Sequence, residues 1–437
     1  MAAPKNIVYI HSHDTGRIVE PYGYPVPTPQ LNKLAGESVL FERMFCANPT
    51  CSPSRAALLT GQHPHSCGQF GLAHRGFEMP SFDRHIVRHL AAHGYTTAMS
   101  GIQHVAAPHG PESAVRIGYD EYLGSEKEAE TVAARWLEGR PSSPFFLSCG
   151  FRETHRPFPE PDDVDRAGGH VAPGYPDDPA LREDFAAYRK SARILDEKIG
   201  VVLEALDRAD LADETIVLCT TDHGIPFPEM KCTLKDAGIG VMAFLRIPGV
   251  EPRRVDGLAS HVDLFPTFCD LLEIPHPAWL QGTSLMPLVD GSAESVRDEV
   301  FSEINFHSAH EPVRAVRTDR YKLIRRYDNR SKQVLPNVAD GGSKEYFLAH
   351  GWNDGPPPAE ALYDTKVDPY EQTNRVDDLA LAAVHGELCA RLDRWMRETA
   401  DPLLGRSPGP DALEPPSGAI LNSPDDPSAK SPRYIVP

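Results

Sequence analysis

The sequence predicts an α/β protein with a large, mostly parallel central sheet flanked by helices, followed by a smaller C-terminal antiparallel sheet with one helix. Two patterns predict the large sheet. Short apolar, β-branched runs of strand length alternate with amphipathic helical stretches up to about residue 290. Beyond that point, short strand candidates follow one another without long helices between them, which predicts the antiparallel sheet.

The strands predicted for the large sheet are buried parallel strands, because each is a short, nearly continuous apolar run. They cover residues 7–10, 145–149, 216–220 and 241–247. The clearest helix is predicted between residues 181 and 206, where apolar residues recur at alternating spacings of four and three and so share one helical face.

The strands predicted for the smaller sheet are residues 300–304, 313–317, 321–325 and 362–363. A helix follows whose apolar face carries Leu381, Val384, Leu388, Leu392 and Trp395. We therefore predict a large domain over residues 1–290 and a smaller α+β subdomain over 291–400. The tail over 401–437 is rich in Pro, Ser and Asp, and we expect it to lie along a surface or to be partly disordered.

Charge and composition exclude several classes of protein. The 437 residues carry 62 acidic and 44 basic groups, a formal charge of −18, which opposes bulk binding to nucleic acid. No apolar run approaches the roughly 18 residues of a membrane helix. No signal peptide precedes the first strand, so a cytoplasmic protein is the expectation. The 8 cysteines form no CxxC pair, which argues against a disulfide framework. The sequence leaves a homo-oligomer open.

Residues 51–61, Cys-Ser-Pro-Ser-Arg-Ala-Ala-Leu-Leu-Thr-Gly, form the most informative motif. Cys51 is predicted at the start of a helix, because Pro53 suits the first turn and the following residues propagate a helix. A side chain there faces the positive end of the helix dipole, and Arg55 adds a charge one turn further on. For an isolated cysteine, a buried helix cap would be the ordinary interpretation.

Metal-ligating residue types follow three of the predicted strands. His13 and Asp14 follow the first strand, His155 follows the strand at 145–149, and Asp222 and His223 follow the strand at 216–220. The carboxyl ends of parallel strands meet at one edge of the sheet, where ligands bind. The sequence therefore predicts a functional site at this edge, close to Cys51.

The string Cys-x-Pro-Ser-Arg-x-x-x-Leu-Thr-Gly resembles the signature of the sulfatase family. The resemblance implies that a maturing enzyme, which reads Cys51, Pro53 and Arg55, oxidises Cys51 to formylglycine. It also implies that the hydrated aldehyde is the nucleophile. By the same resemblance, one divalent metal is bound by His13, Asp14, Asp222 and His223 together with residue 51.

The metal implied by the resemblance is Ca²⁺, and Mn²⁺ or Zn²⁺ stay open because two of the predicted ligands are imidazoles. His13 stands where many members of the family have an aspartate. Its alternative role is to hydrogen-bond a ligand without touching the metal.

Three further residues match the family in position. His104, in Gly101-Ile102-Gln103-His104, and His155 are implied to contact the sulfate or to protonate the leaving group, and Lys231 is implied to bind sulfate. The family usually shows Gly-Lys-x-His at the first of these places. Ile102 replaces that lysine, so another residue would have to supply one anion-binding charge.

The predicted substrate is a small sulfated molecule, and the resemblance implies a sulfate ester or sulfamate on a carbohydrate. The stretch 222–228 resembles the sulfamidase subgroup, less specifically than the family resemblance, and the stretch 362–374 resembles the C-terminal motif of the sulfatase family. We predict that the sugar contacts residues of the segment 305–314, namely His307, His310, Glu311 and Arg314. The alternative for this segment is a polar loop that hydrogen-bonds to itself.

Two other functions stay open. The first is a phosphonate monoester or phosphodiester hydrolase, because tetrahedral phosphorus and sulfur anions are alike in shape and charge. Relative rates on an aryl sulfate and an aryl phosphodiester would separate it from a sulfatase. The second is a non-catalytic carbohydrate-binding protein, which the missing lysine at position 102 allows. Turnover, together with the mass of the peptide that holds residue 51, would test it.

Overall fold

The computed structural model describes residues 6–406, 409, 412–424 and 426. They form an eight-stranded sheet, a three-stranded sheet and a four-stranded sheet. The strands are β1 Asn6–Ser12, β2 Val39–Phe41, β3 Met44–Phe45, β4 Thr96–Gly101, β5 Glu121–Gly124, β6 Phe145–Gly150, β7 Thr215–Thr221, β8 Gly240–Val241, β9 Ala243–Arg246, β10 Arg253–Val255, β11 Ala259–Ser260, β12 Glu299–Phe306, β13 His310–Thr318, β14 Tyr321–Arg326 and β15 Glu360–Asp364.

Helices separate most strands of the first part of the chain, as the alternating pattern predicts. The helices are α1 Pro29–Gly36, α2 Cys51–Thr60, α3 Pro64–Cys67, α4 Ile86–Ala92, α5 Pro111–Ile117, α6 Ala129–Glu138, α7 Asp163–Arg166, α8 Pro179–Arg208, α9 Asp236–Ile239, α10 Leu264–Leu271, α11 Met286–Val289, α12 Gly342–Ala349 and α13 Ala382–Glu398. None of the helices within the described ranges combines the length and the apolar character that crossing a membrane requires.

The large sheet has the strand order β10-β2-β9-β7-β1-β6-β4-β5. At its centre β1 pairs in parallel with β6 on one side and β7 on the other. Along β1, Ile7 belongs to one hydrophobic cluster and Val8 to the other, so both faces of the sheet are covered. The predicted α/β architecture is therefore confirmed. The carboxyl ends of the three central strands lie side by side at one edge.

One predicted parallel strand is wrong in direction. The run 241–247 is interrupted at Met242 and supplies β8 to the three-stranded sheet and β9 to the large sheet. Strand β9 pairs antiparallel with both β7 and β2. The chain between β7 and β9 holds only the short helix α9 and the two-residue strand β8, so it re-enters the sheet from the edge at which β7 ends. A buried apolar run carries no information about that direction.

The smaller sheet is antiparallel, in the order β12-β13-β14-β15, as predicted. Helix α13 packs on it through Leu388, Leu392 and Trp395. Part of the predicted tail contacts this region, because the backbone N–H of Asn422 donates to the carbonyl of Ser308 at 2.8 Å. Residues 407, 408, 410, 411, 425 and 427–437 of the tail lie outside the described residues.

Candidate active site

The ends of β1 and β7 and the start of α2 converge on one buried site. His13 and Asp14 follow β1, Asp222 and His223 follow β7, and Cys51 is the first residue of α2. Each of these five side chains offers one ligand-type atom, and the five atoms all lie within 4.8 Å of one another. The structure thus brings together every residue that the sequence predicts as a metal ligand.

Asp222 is held by hydrogen bonds and ionic contacts to both of its carboxylate oxygens. Its Oδ1 accepts the backbone N–H groups of Asp14 (2.8 Å) and His223 (2.9 Å). Its Oδ2 lies 2.9 Å from Arg55 Nη2 and 3.1 Å from His13 Nδ1. Burial alone would raise the pKa of this carboxyl, but the charges of His223, His13 and Arg55 hold it below its usual value. Asp222 is therefore an oriented carboxylate.

Asp14 faces Asp222 from the neighbouring strand end. Its backbone adopts the left-handed region, with φ of 53°. Its Oδ1 lies 3.3 Å from His223 Nε2, and its Oδ2 accepts a hydrogen bond from Lys231 Nζ at 2.7 Å. Burial opposes ionisation, yet Lys231 and His155 hold the pKa of Asp14 well below its usual value.

Asp14 and Asp222 are two buried negative charges close together, so nearby positive charge is needed to stabilise them. Burial would lower the pKa of His13, but Asp222 and Cys51 raise it to about 9. The pKa of His223 is raised, against the effect of burial, by Asp222 and Asp14. Protons on the imidazoles thus balance the carboxylates, and a divalent cation at the same place would do so with nitrogen and oxygen ligands. The side chains present fit a divalent metal.

Cys51 occupies the first turn of α2. The turn before it is fixed by Asn48, whose Oδ1 accepts hydrogen bonds from the backbone N–H and the hydroxyl of Thr50. Cys51 is 2% exposed, and its Sγ lies 3.4 Å from His223 Nε2. Burial would raise the pKa of this thiol, but Lys231 and His13 hold it well below its usual value. Anionic character is therefore favoured at residue 51.

His104 and His155 lie on either side of His13. The ring centroid of His13 is 5.1 Å from that of His104 and 4.9 Å from that of His155. Burial lowers the pKa of both imidazoles, for His155 to about 4, with a further contribution from Lys231. Both rings are therefore neutral in the free protein and can donate an N–H to an arriving anion.

The family model for sulfatases matches residues 5–274 of the chain, and these residues contain all five of the ligand-type side chains. The chain belongs to the sulfatase family. A second model, described as N-sulphoglucosamine sulphohydrolase, C-terminal, matches residues 231–341.

Known relatives of this sulfatase agree with that placement. Human N-sulphoglucosamine sulphohydrolase is 28% identical over an alignment 474 positions long. The alignment covers 92% of this chain and 91% of the human protein. A protein solved in complex with its substrate D-glucosamine-2-N,6-O-disulfate has a TM-score of 0.70 at 19% identity and covers 92% of this chain and 99% of its own. Phosphonate monoester hydrolase of Agrobacterium radiobacter has a TM-score of 0.67 at 20% identity and covers 90% and 96%. The two structures share the fold.

The residues predicted to bind the sugar are distributed over different surroundings. Burial lowers the pKa of His307, and its electrostatic interactions with Cys51 and Lys231 place it beside the site. Glu311 lines a cavity of about 320 Å³ together with Lys231 and Trp352. His310 stacks on Phe306 and lines a separate cavity of about 330 Å³. Adjacent strand residues point to opposite faces of a sheet, which explains why the side chains of His310 and Glu311 line different cavities.

Arg314 does not reach the cleft of this sulfatase, which corrects its predicted role. Its side chain is fully buried, with Nε 2.6 Å from an Asp401 oxygen. Its Nη1 donates to the carbonyls of Ile304 and Val313, and its Nη2 donates to Asn305. With its donors engaged inside the protein, Arg314 stabilises the smaller sheet.

We expect Arg314→Met to lower the free energy of unfolding by about 3–5 kcal/mol, because Asp401 and Glu303 would remain buried without their cation. Arg320→Met is the control, because Arg320 lies in the turn between β13 and β14, is half-exposed, and forms a solvent-screened pair with Asp364 whose loss should change stability little. Denaturant titration of both variants measures the difference. Equal stability of the two would contradict the role given to Arg314.

Two histidines of the site were not predicted from the sequence. The ring of His109 stacks on that of His104 at 5.1 Å, and the ring of His74 lies 5.6 Å from His104. Neither residue directly follows a strand or belongs to a motif, so no sequence signal marked them.

Two other groups of potential metal ligands occur in the described part of the chain, and each is contacted by an arginine. Arg314 binds the first group, and Arg325 donates to Glu360 of the second at 2.6 Å. A guanidinium opposes a second cation at short range, so ion pairing accounts for both groups. They are His65, Glu303 and Asp401, and Glu360, His385 and Cys389.

Proposed function

We propose that this sulfatase hydrolyses a sulfate ester or sulfamate carried by a sugar, using one divalent metal and an oxidised residue 51. The observation that carries the proposal is the convergence of five ligand-type atoms within 4.8 Å at the start of α2. The name of the human relative, N-sulphoglucosamine sulphohydrolase, supports an amino sugar with N-linked sulfate as the first substrate to test.

The metal would be held by His13, Asp14, Asp222 and His223 together with residue 51. When bound, a divalent ion supplies a Lewis acid for an oxygen of the sulfate group. Formylglycine at position 51, formed from the cysteine by a maturing enzyme, would supply the attacking hydroxyl. Ca²⁺ is the predicted ion, but the two imidazole nitrogens in this donor set make Mn²⁺ or Zn²⁺ strong competitors.

The chain's own groups perform the remaining work. The N-terminal end of α2 and Lys231 favour negative charge beside residue 51. His104 and His155 are neutral in the free protein, and the negative charge of a bound sulfate would favour the protonated imidazole that a leaving-group acid requires, a contribution typically worth about 10²–10⁴-fold in rate. Arg55 is tied to Asp222 and to the carbonyl of Ser12, so it fixes the strand ends that carry the ligands. Burial of these groups keeps bulk water away.

The proposed function is tested by a panel of N-sulfated and O-sulfated sugars, an aryl sulfate and an aryl phosphodiester. The protein must be purified gently, with residue 51 shown by tryptic mass spectrometry to have lost its thiol. We expect turnover of a sulfated sugar and about one divalent ion per chain by elemental analysis. Absence of turnover by fully converted protein would favour the non-catalytic carbohydrate-binding alternative.

A phosphonate monoester or phosphodiester hydrolase is the second candidate function. The imidazole-rich donor set, with His13 and His223 beside two carboxylates, is compatible with it, and the Agrobacterium phosphonate monoester hydrolase shares the fold. A kcat/KM on the aryl phosphodiester above that on the aryl sulfate would favour this candidate.

Sugar recognition is expected to depend on Glu311. Glu311→Gln should lower kcat/KM on a sulfated sugar by about tenfold, equivalent to about 1.4 kcal/mol, through a higher KM or a lower kcat. A small aryl sulfate should be affected about twofold at most, because it lacks the sugar groups. His310→Ala should show the same selectivity with a smaller loss, since His310 lines the other cavity.

Steady-state kinetics on both substrates measure these effects. Glutamine keeps an acceptor for Asn337, which donates to Glu311 at 2.7 Å, but loses the 2.8 Å ion pair with Arg326, so denaturant titration of the variant accompanies the kinetics. Equal losses on both substrates would assign the residues to the chemical step or to folding, and no loss on either would remove them from the site.

A further inference from the structure

A small cavity at the edge of the site contains a cation that the proposed chemistry has not used. It has room for about one water molecule, about 10 Å³. Apart from histidines, three side chains line it, and these are Ile102, Glu126 and Arg152. Its histidines include His13, His104 and His155, so the cavity adjoins both the metal ligands and the candidate proton donors.

Arg152 is positioned by the same strand ends that build the site. Arg152 follows β6. The two residues that flank it are hydrogen-bonded to His11, near the end of β1, and to His13, directly after β1. The N–H of Phe151 donates to the carbonyl of His11 at 2.8 Å, and the N–H of His13 donates to the carbonyl of Glu153 at 2.9 Å. The backbone of Arg152 is therefore fixed relative to His13.

Two cations that contact the proposed metal ligands, Lys231 and Arg55, are committed to carboxylates. Lys231 Nζ lies 2.7 Å from Asp14, and Arg55 Nη2 lies 2.9 Å from Asp222. Both carboxylates belong to the proposed metal site, so the charges of Lys231 and Arg55 are largely balanced there.

Arg152 is held by a weaker ion pair than Lys231 and Arg55 are, so Arg152 can exchange its partner more easily. Arg152 Nη1 lies 3.2 Å from Glu126 Oε1, with side chains 42% and 19% exposed, and solvent screening makes a pair of this kind weak. A guanidinium is charged at every physiological pH and presents parallel donors to oxyanions. Ile102 places an apolar side chain on the same cavity, where the sequence leaves an anion-binding charge missing.

We propose that Arg152 binds the non-bridging oxygens of the substrate's sulfate group, exchanging its contact with Glu126 for the anion. The inference rests on the proposed function for the identity of the anion. In this role Arg152 is a residue that binds the reacting group, and Glu126 holds it in place while the site is empty.

Binding of inorganic sulfate tests the proposal without turnover. We expect Arg152→Ala to raise the Kd for sulfate at least tenfold and Arg152→Lys to raise it less, by calorimetry on the metal-loaded protein. Glu126→Gln should tighten sulfate binding, because it removes the competing carboxylate. Arg208→Ala is the matched control, because Arg208 of α8 is an arginine of similar exposure, 51% against 42%, paired with Glu138 of α6. Sulfate affinity of Arg152→Ala within twofold of wild type would overturn the proposal.

A second test moves the positive charge from position 152 to position 102 of the same cavity. Ile102→Lys introduced into Arg152→Ala should restore at least part of the lost sulfate affinity, and of kcat/KM on an aryl sulfate, because both side chains line one space. A double variant as weak as Arg152→Ala would overturn the shared-anion interpretation. Arg152-dependent sulfate binding without turnover of any sulfate would contradict the proposed function and leave Arg152 as an anion site. Turnover unchanged in Arg152→Ala would contradict only the role of Arg152.

Discussion

Cys51→Ala is expected to reduce turnover by at least about a thousandfold and to leave the fold intact. The loss is large because the nucleophile would be absent, and removal of a nucleophile is among the costliest changes in hydrolases. Stability should change little, because alanine is a good residue for the first turn of α2 and the prolyl and arginyl residues after it are retained.

Cys67→Ala is the matched control for this variant. Cys67 lies on α3, and its Sγ contacts the carbonyl of Pro64, away from the ligand cluster. Activity on an aryl sulfate and circular dichroism should both match wild type for Cys67→Ala. Residual activity above a few per cent in Cys51→Ala would rule out covalent catalysis at residue 51.

Asp222→Asn is expected to have the second large effect, lowering metal affinity at least about a hundredfold and the rate with it. Asparagine has almost the same shape and can still accept the N–H groups of Asp14 and His223. The negative charge is lost, so the variant isolates the contribution of that charge to metal binding.

Asp165→Asn is the control for the loss of a buried carboxylate. Asp165 is paired with Arg193 on α8 and is not part of the ligand cluster. Elemental analysis and activity should be unchanged in this control and reduced in Asp222→Asn. Wild-type protein that is metal-free after gentle purification and fully active in a chelator would show that no metal is needed.

The central strands could be predicted from the sequence because burial on both faces makes them apolar throughout. Strand β4 could not, because it reads Thr-Thr-Ala-Met-Ser-Gly and buries polar side chains. Thr97 is tolerated there because its hydroxyl donates to Asp120 at 2.9 Å, a partner that is distant in sequence. Patterns along the chain do not show such partners.

The same limit separates the predicted residues of the site from the missed ones. Asp14 and Asp222 were predictable because they directly follow strands whose ends meet. His74, His109 and Arg152 reach the site from segments whose course depends on tertiary packing.

Arg314 was assigned wrongly because its segment contains several polar residues of similar character. The alternation of a strand sends such residues to different surroundings, and the composition of the segment cannot reveal which one is buried.

The burial of α2 has a consequence for how the protein is made. All ten residues of this helix, from Cys51 to Thr60, are buried. An enzyme that oxidises Cys51 would need to bind several neighbouring residues. Because these residues are buried in the folded protein, we expect it to act on the nascent or unfolded chain. Under the proposed function, oxidation of Cys51 would compete with folding. A molecule that folds before oxidation would keep its cysteine, because residue 51 is then buried. Specific activity of a preparation would report the kinetics of its biosynthesis, and treating the folded protein with the maturing enzyme would not raise it.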